Sequence, residues 1–263
     1  MNRLRNRLGS LIALACLACG LSACSSPDGN AYRVRDVKPR AVVRDGVAVT
    51  LGDQRLSVFK NGKVVRTYSV STSKFGIGSR NGSNRTPLGV HAVTNKVGAG
   101  QPVGMVFKRC KPTGEVVDVN EAGRDPVVTR VIQLAGLENF NGNTHGRRIY
   151  IHGTPEERKI GRPASYGCIR MRSSDVIDLF NRVERGTPVA IESCSLATYL
   201  KAEQDGNVSS IRIPERIVSA LPEGTGFKPA RKYSRKSYSK RRTAKRSKSS
   251  SSSKRRVAST RRR

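Results

Sequence analysis

Gln54-Arg55-Leu56-Ser57-Val58-Phe59, followed by Asn61-Gly62 and then by Val64-Val65-Arg66-Thr67-Tyr68-Ser69-Val70, is the stretch that decides the fold class. Apolar and polar residues alternate with the period of two that half-buries a strand. Asn-Gly is the residue pair that a two-residue hairpin turn demands, because both central residues need φ > 0. The domain therefore opens with a β-hairpin, and folded character begins near Val47. Further strands are expected at 89–93, 127–134, 148–152 and 187–191. One segment has clear helical periodicity: Ser173-Ser174-Asp175 supplies the start, Val176, Ile177, Leu179, Phe180 and Val183 form the apolar stripe, and Gly186 supplies the stop. A second, weaker helix is expected from Leu196 to Gln204, and 211–221 carries no clear pattern. The expectation is a mainly β domain with one or two helices.

The two ends of the chain read differently from this middle. Of the formal net charge of +31, 17 Lys or Arg lie between Lys228 and Arg263, a stretch without Asp or Glu and with a serine run from Ser249 to Ser253. Such a segment has too little apolar surface to offset the entropy of ordering it, and it reads as a disordered basic tail, 228–263. At the other end, Arg3, Arg5 and Arg7 precede an apolar run from Leu8 to Leu21 that leads into Ser22-Ala23-Cys24. A basic region, a short apolar core and small residues before a cut form an export signal, and the run falls short of the roughly 20 residues a spanning helix needs. Because the small residues run into a cysteine, residues 1–23 resemble a bacterial lipoprotein signal, which implies a lipid on Cys24, a tether over 24–46 and an anchor in the envelope. Ser25 after that cysteine makes the outer membrane of a two-membrane bacterium the expected destination. The basic tail would then meet anionic envelope polymer or lipid headgroups. Nucleic acid is the poorer partner, since only Tyr233 and Tyr238 interleave the tail's charges and the chain carries an export signal.

The densest group of reactive residue types is Ile151-His152-Gly153-Thr154-Pro155 with Ala164-Ser165-Tyr166-Gly167-Cys168-Ile169-Arg170-Met171. A thiol is a poor nucleophile until it loses its proton, and a histidine at the end of a strand can take it if the chain folds back. A turn built on Gly167 would let the amides of Gly167 and Cys168, with Tyr166, aim at a developing oxyanion. His91 reads as a sheet residue and His145 as part of a turn-rich loop. No cluster has metal-ligand spacing, no glycine loop would cradle phosphate, and nothing calls for a cofactor. With Cys16 and Cys19 in the signal and Cys24 taken by lipid, Cys110, Cys168 and Cys194 remain, an odd number that leaves an unpaired thiol in an oxidising compartment. If Cys168 is that thiol, Cys110 and Cys194 are either a disulfide or two separate buried thiols.

The strings IHGTPEERKIGRPASYGCIRM and, upstream, STSKFGIGSRNGSNRTPLGVHAV resemble the L,D-transpeptidase (YkuD-like) catalytic domain family, which pairs an HG element with a later S-H-G-C element. The similarity covers roughly Val47 to Ser193, so 47–194 is read as the catalytic domain and 195–227 as a C-terminal extension. The resemblance implies a YkuD-like β-sandwich that exchanges acyl groups on peptidoglycan stem peptides. It makes Cys168 the nucleophile, His152 its base, and the Gly153 carbonyl the group that orients the imidazole. Arg170 stands where it would meet either a substrate carboxylate or a structural ion-pair partner, and Ser165 is the second candidate substrate contact. The chain departs from the pattern at Tyr166, where the family usually has His. Hydrolysis of the stem, attachment of a protein to the wall, and a non-catalytic wall-binding scaffold are the competing readings.

Overall fold

A computed structural model describes residues 36–120, 125–206 and 208–223. The expected signal and Cys24 at one end, and the basic tail at the other, lie outside the described residues. The strands in chain order are β1 (Val42–Val43), β2 (Gly46–Thr50), β3 (Arg55–Lys60), β4 (Lys63–Ser69), β5 (Gly89–Val97), β6 (Met105–Lys108), β7 (Lys111–Val116), β8 (Val127–Gly136), β9 (Tyr150–Gly153), β10 (Ile169–Met171), β11 (Pro188–Glu192) and β12 (Ser210–Ile211). The helices are α1 (Ser173–Arg182), α2 (Leu196–Gln204) and α3 (Glu215–Ala220).

The fold is mainly β. Its larger sheet is mixed and runs β10-β9-β8-β5-β11-β2-β3-β4, with the β6/β7 hairpin attached to β8. β9 with β10 and β2 with β11 are parallel pairs, and the other neighbours are antiparallel. The β3/β4 hairpin turns at Asn61 (φ 51°) and Gly62 (φ 73°), the left-handed conformations its sequence predicts. The two ends of the sheet then meet. Ser71, just past β4, donates its N–H to the Arg170 carbonyl and accepts from the Arg170 N–H, each at 2.9 Å. The sheet therefore curls on itself, and Tyr68 from β4 shares one apolar core with Ile169 and Met171 from β10. Val176, Leu179 and Phe180 of α1 fill that core from the side, as their i, i+3, i+4 spacing predicts.

Three boundaries differ from the sequence expectation. α1 is started by Glu157, whose carboxylate accepts from the Ser173 amide at 2.8 Å, with no side-chain cap from Arg172 at the N-cap position. It stops at Val183, which is extended, well before Gly186. The tether expected over 24–46 also extends too far: Asp36 accepts from the Ser195 amide, and β1 pairs in parallel with β12. Val42, Val43, Phe59, Cys194 and Tyr199 form a second apolar cluster, so segments from both ends of the described chain clasp the outside of β2 and β11. Strands β6 and β7 and helix α3 had no clear signal in the sequence, β6 having four residues, β7 carrying Pro112 and Gly114, and α3 having no buried residue.

A disulfide between Cys110 and Cys194 is not formed. Cys110 lies buried with Val97, Met105 and Phe107, and Cys194 lies in the separate cluster around Tyr199. All three cysteines of the domain are free thiols. Thiol alkylation of the unfolded, unreduced protein, read by peptide mapping, is expected to label Cys110, Cys168 and Cys194 alike; protection of the first and last would contradict the packing. The clasp gives a second expectation. The buried Tyr199 hydroxyl accepts from the Val43 amide at 2.8 Å, so Tyr199→Phe leaves that amide unpaired and should cost about 1–3 kcal/mol in denaturant unfolding.

Candidate active site

The alternation Ile149-Tyr150-Ile151-His152 meets the alternation Cys168-Ile169-Arg170-Met171 where β9 pairs with β10. Their register sets Ile169 beside Ile151, Arg170 beside His152 and Met171 beside Gly153. Ile149, Ile151, Ile169 and Met171 all belong to the main core. Side chains along a strand alternate between faces, so Tyr150, His152, Cys168 and Arg170 share the opposite face. One strand spacing across and two residues along puts the Cα atoms of His152 and Cys168 about 8 Å apart.

His152 is buried, and its Nδ1 sits 2.8 Å from the carbonyl oxygen of Gly153. A carbonyl only accepts, so Nδ1 carries the proton and Nε2 keeps its lone pair. Burial pushes the imidazole down to about 4, partly opposed by the Gly153 bond, with the Arg170 charge pressing the same way as burial. Gly153 itself admits no larger residue cheaply, since a Cβ there would stand 2.7 Å from the Val128 carbonyl oxygen.

Cys168 is half-buried, and its thiol donates to the Arg148 carbonyl at 3.4 Å. Burial pushes the thiol up to about 11, while the Tyr150 amide and the charges of Arg170 and Arg147 favour the thiolate. At neutral pH the resting groups are thus a thiol and a neutral imidazole, each bonded to a different backbone carbonyl, Arg148 for Sγ and Gly153 for Nδ1.

The turn that carries the cysteine is held from several sides. Ser165 Oγ donates to the Cys168 carbonyl at 2.6 Å and accepts from the Gly167 amide at 3.1 Å. Gly167 has φ +119°, and a Cβ there would meet Ile149 Cδ1 at 3.1 Å. Thr86 Oγ1 donates to the Gly167 carbonyl and accepts from the Ser73 amide, both at 3.0 Å. The Thr72 carbonyl accepts from both Ala164 and Ser165 at 2.9 Å, and the Lys74 amide donates to the Ser165 carbonyl at 3.1 Å. Residues 70–74 therefore form a rail along which the loop is laid.

Three sequence expectations change here. Ser165 is fully buried and spends its hydroxyl on the turn, so it acts as a brace for the loop. The Gly167 amide is already bonded to Ser165, which leaves the amides of Cys168 and Tyr166 as the available oxyanion donors. Arg170, with a side chain only 4% exposed, ion-pairs with Asp125 at 2.6 Å and Glu156 at 3.5 Å and donates to the Ala164 carbonyl at 3.0 Å. Of its two readings, the structural ion pair holds: a substrate carboxylate would have to displace two carboxylates from a buried site. Tyr166, by contrast, is exposed beside Phe75 and Lys74.

Asp125 and Arg147 fall outside the strings that carry the resemblance, and Ser73, Lys74, Thr86 and Glu156 lie within them without a role that the sequence assigns. Each reaches the site across many residues of chain, and no local pattern announces such a contact. His91 is a buried sheet residue whose Nδ1 bonds the Gly89 carbonyl. Among the described residues, no three His, Cys, Asp or Glu side chains gather as metal ligands would.

The family model for the YkuD L,D-transpeptidase catalytic domain matches residues 44–191. YcfS of Escherichia coli (strain K12), named as a probable L,D-transpeptidase, is 33% identical over 152 residues, 56% of this chain and 44% of its own length. YqjB of Bacillus subtilis (strain 168), named for the same activity, is 32% identical over 146 residues, 55% of this chain and 69% of its own. A solved L,D-transpeptidase of Enterococcus faecium aligns with a TM-score of 0.37 at 21% identity, over 57% of this chain and 50% of that one. The match thus spans less than half of YcfS and about two thirds of YqjB. With its family match running over more than half of its length, the chain belongs to the L,D-transpeptidase catalytic domain family.

Proposed function

We propose that this chain is a cysteine acyltransferase that cross-links peptidoglycan stem peptides between third-position residues. The observation that carries the reading is the in-register β9/β10 pair, which presents a thiol and an imidazole with an unprotonated Nε2 on one face. In this reading the His152 Nε2 takes the thiol proton as Cys168 Sγ attacks the third-residue carbonyl of a tetrapeptide donor. The C–O π bond becomes an oxyanion, met by the amides of Cys168 and Tyr166. Collapse breaks the bond to the terminal D-alanine, whose amine leaves with the proton from His152, and a thioester remains. A side-chain amine of a neighbouring stem then adds to the thioester and gives its proton to Nε2. Expulsion of the sulfur, which recovers that proton, completes the cross-link.

The starting pair is neutral, so the step that costs most is the one that creates charge. Arg170 lies close enough to disfavour protonated His152 at rest and to favour the thiolate. The Asp125 and Glu156 carboxylates compensate that cation in the ground state.

Incubation with a carbapenem is expected to add the drug's mass to Cys168, and Cys168→Ala should abolish the adduct. His152→Gln should slow acylation by about 10²–10⁴-fold, the usual contribution of a positioned base. An unlabelled wild-type protein would leave only a non-catalytic scaffold. The pH dependence is a separate test. A base depressed to about 4 is lost only as pH falls through that value, so acylation should hold steady from pH 8 to pH 5 and drop near pH 4. Iodoacetamide labelling of the resting thiol should rise toward pH 11. A titration near pH 6.5 in the acylation profile would show an imidazole in an ordinary aqueous setting.

A further inference from the structure

Lys74, Phe75 and Tyr166 are exposed, come from two distant segments, and stand together on the rim beside Cys168. Phe75 is 43% and Tyr166 58% exposed, and the two rings meet. Their rings are 5.5 Å apart between centroids and inclined at 52°. The ammonium of Lys74 lies 4.6 Å from the Tyr166 ring centroid and 5.3 Å from that of Phe75. The cluster is held by the same rail as the catalytic turn, through the bridge between Ser73 and Ser165. Tyr166 is two residues from Cys168, so its Cα lies within about 7 Å of the cysteine's along the chain.

The donor inventory shows what this cluster can bind. Lys74 Nζ donates one hydrogen to the Tyr166 hydroxyl at 3.2 Å. An ammonium has three hydrogens and no lone pair, so two remain, and among the described residues no carboxylate pairs with them. Tyr166 accepts through its oxygen and keeps its own hydroxyl hydrogen to give. The ammonium and the phenol thus offer two adjacent donors to one partner, and the two rings supply an apolar wall beneath.

We infer that Lys74 and Tyr166 form a carboxylate subsite, walled by Phe75, for the C-terminal residue of the donor stem, a small apolar amino acid with a free α-carboxylate. The inference rests on the proposed acyl-transfer reading for the identity of the ligand. A carboxylate takes one hydrogen bond from the ammonium and one from the phenol, both charge-assisted. A methyl side chain can lie against the two rings. The subsite gives the exposed Tyr166 hydroxyl a use as a hydrogen-bond donor. It also sets the terminal residue, the group to be expelled, within a short reach of the sulfur. Lys74 and Tyr166 are here specificity residues that contact substrate and take no part in proton transfer.

The test uses the full chain carrying Cys168→Ala, so that binding is read without turnover, and a soluble stem tetrapeptide with either a free C-terminal carboxylate or a C-terminal amide. The free acid is expected to bind about fivefold more tightly than the amide, consistent with an exposed ion pair of about 1 kcal/mol. Lys74→Met and Tyr166→Phe, both surface changes, should each reduce that ratio toward one while leaving amide binding unchanged. Equal affinity for the two peptides, or a preference that survives Lys74→Met, overturns the subsite. Turnover of the tetrapeptide by the protein with Cys168 intact is measured in parallel. Preference without turnover would overturn the acyl-transfer reading and leave the carboxylate subsite standing; turnover without preference would do the reverse.

Discussion

The backbone of Arg170 is where the sheet closes. On one side it pairs with β9, and on the other it exchanges two hydrogen bonds with Ser71. An open sheet would leave β10 as an edge, with a row of unpaired amides and carbonyls available to other chains. Closure removes that edge and sets the register of a strand only three residues long. A slip of one residue would carry Cys168 and Arg170 into the core and expel Ile169 and Met171. The apolar residues on the inner face therefore determine where the sulfur lies.

The same residue organises the charge. Its guanidinium is surrounded by Asp125, Glu156 and the Ala164 carbonyl in a setting nearly closed to water. Such a pair is costly to desolvate and is better regarded as a device for a unique arrangement than as a source of stability. Here it ties three segments to the cysteine-bearing strand: the start of β8, the turn after β9 and the approach to Cys168. Its positive field falls on a histidine that burial already keeps neutral and on a thiol that burial already keeps protonated. The two carboxylates balance the Arg170 cation beside both groups.

The ends of the described chain show where local patterns stop being informative. Val42 and Val43 look like the close of a polar tether, and Tyr199 like one apolar residue of a weak helix. Packed together over β2 and β11, they become the second core, with a buried hydroxyl joining them. The hairpin around Asn61-Gly62, the strands β5, β8 and β11, and the stripe of α1 were legible because each writes its period into consecutive residues. β10 was not, because three residues hold too little alternation to stand out; nor were β6 and β7, whose pairing is broken by an irregularity. Within the site, His152, Gly153 and Cys168 were legible from two short strings. Ser165 and Arg170 were legible as present but not as to their use, because a hydroxyl or a guanidinium serves a turn or a substrate with equal chemistry.

What the sequence by itself determined is the class of fold, the family, and the identity of a thiol and an imidazole sixteen positions apart. Those follow from local periodicity, turn chemistry and a string of residues, all of which are properties of neighbours along the chain. Only the tertiary structure decided that the two groups share a face, that Arg170 is spent on Asp125 and Glu156, that Cys110 and Cys194 lie in different cores, and that Lys74 stands over Tyr166. Each of these depends on which strands pair and in what register, and register is set by the packing of apolar side chains from the whole domain at once.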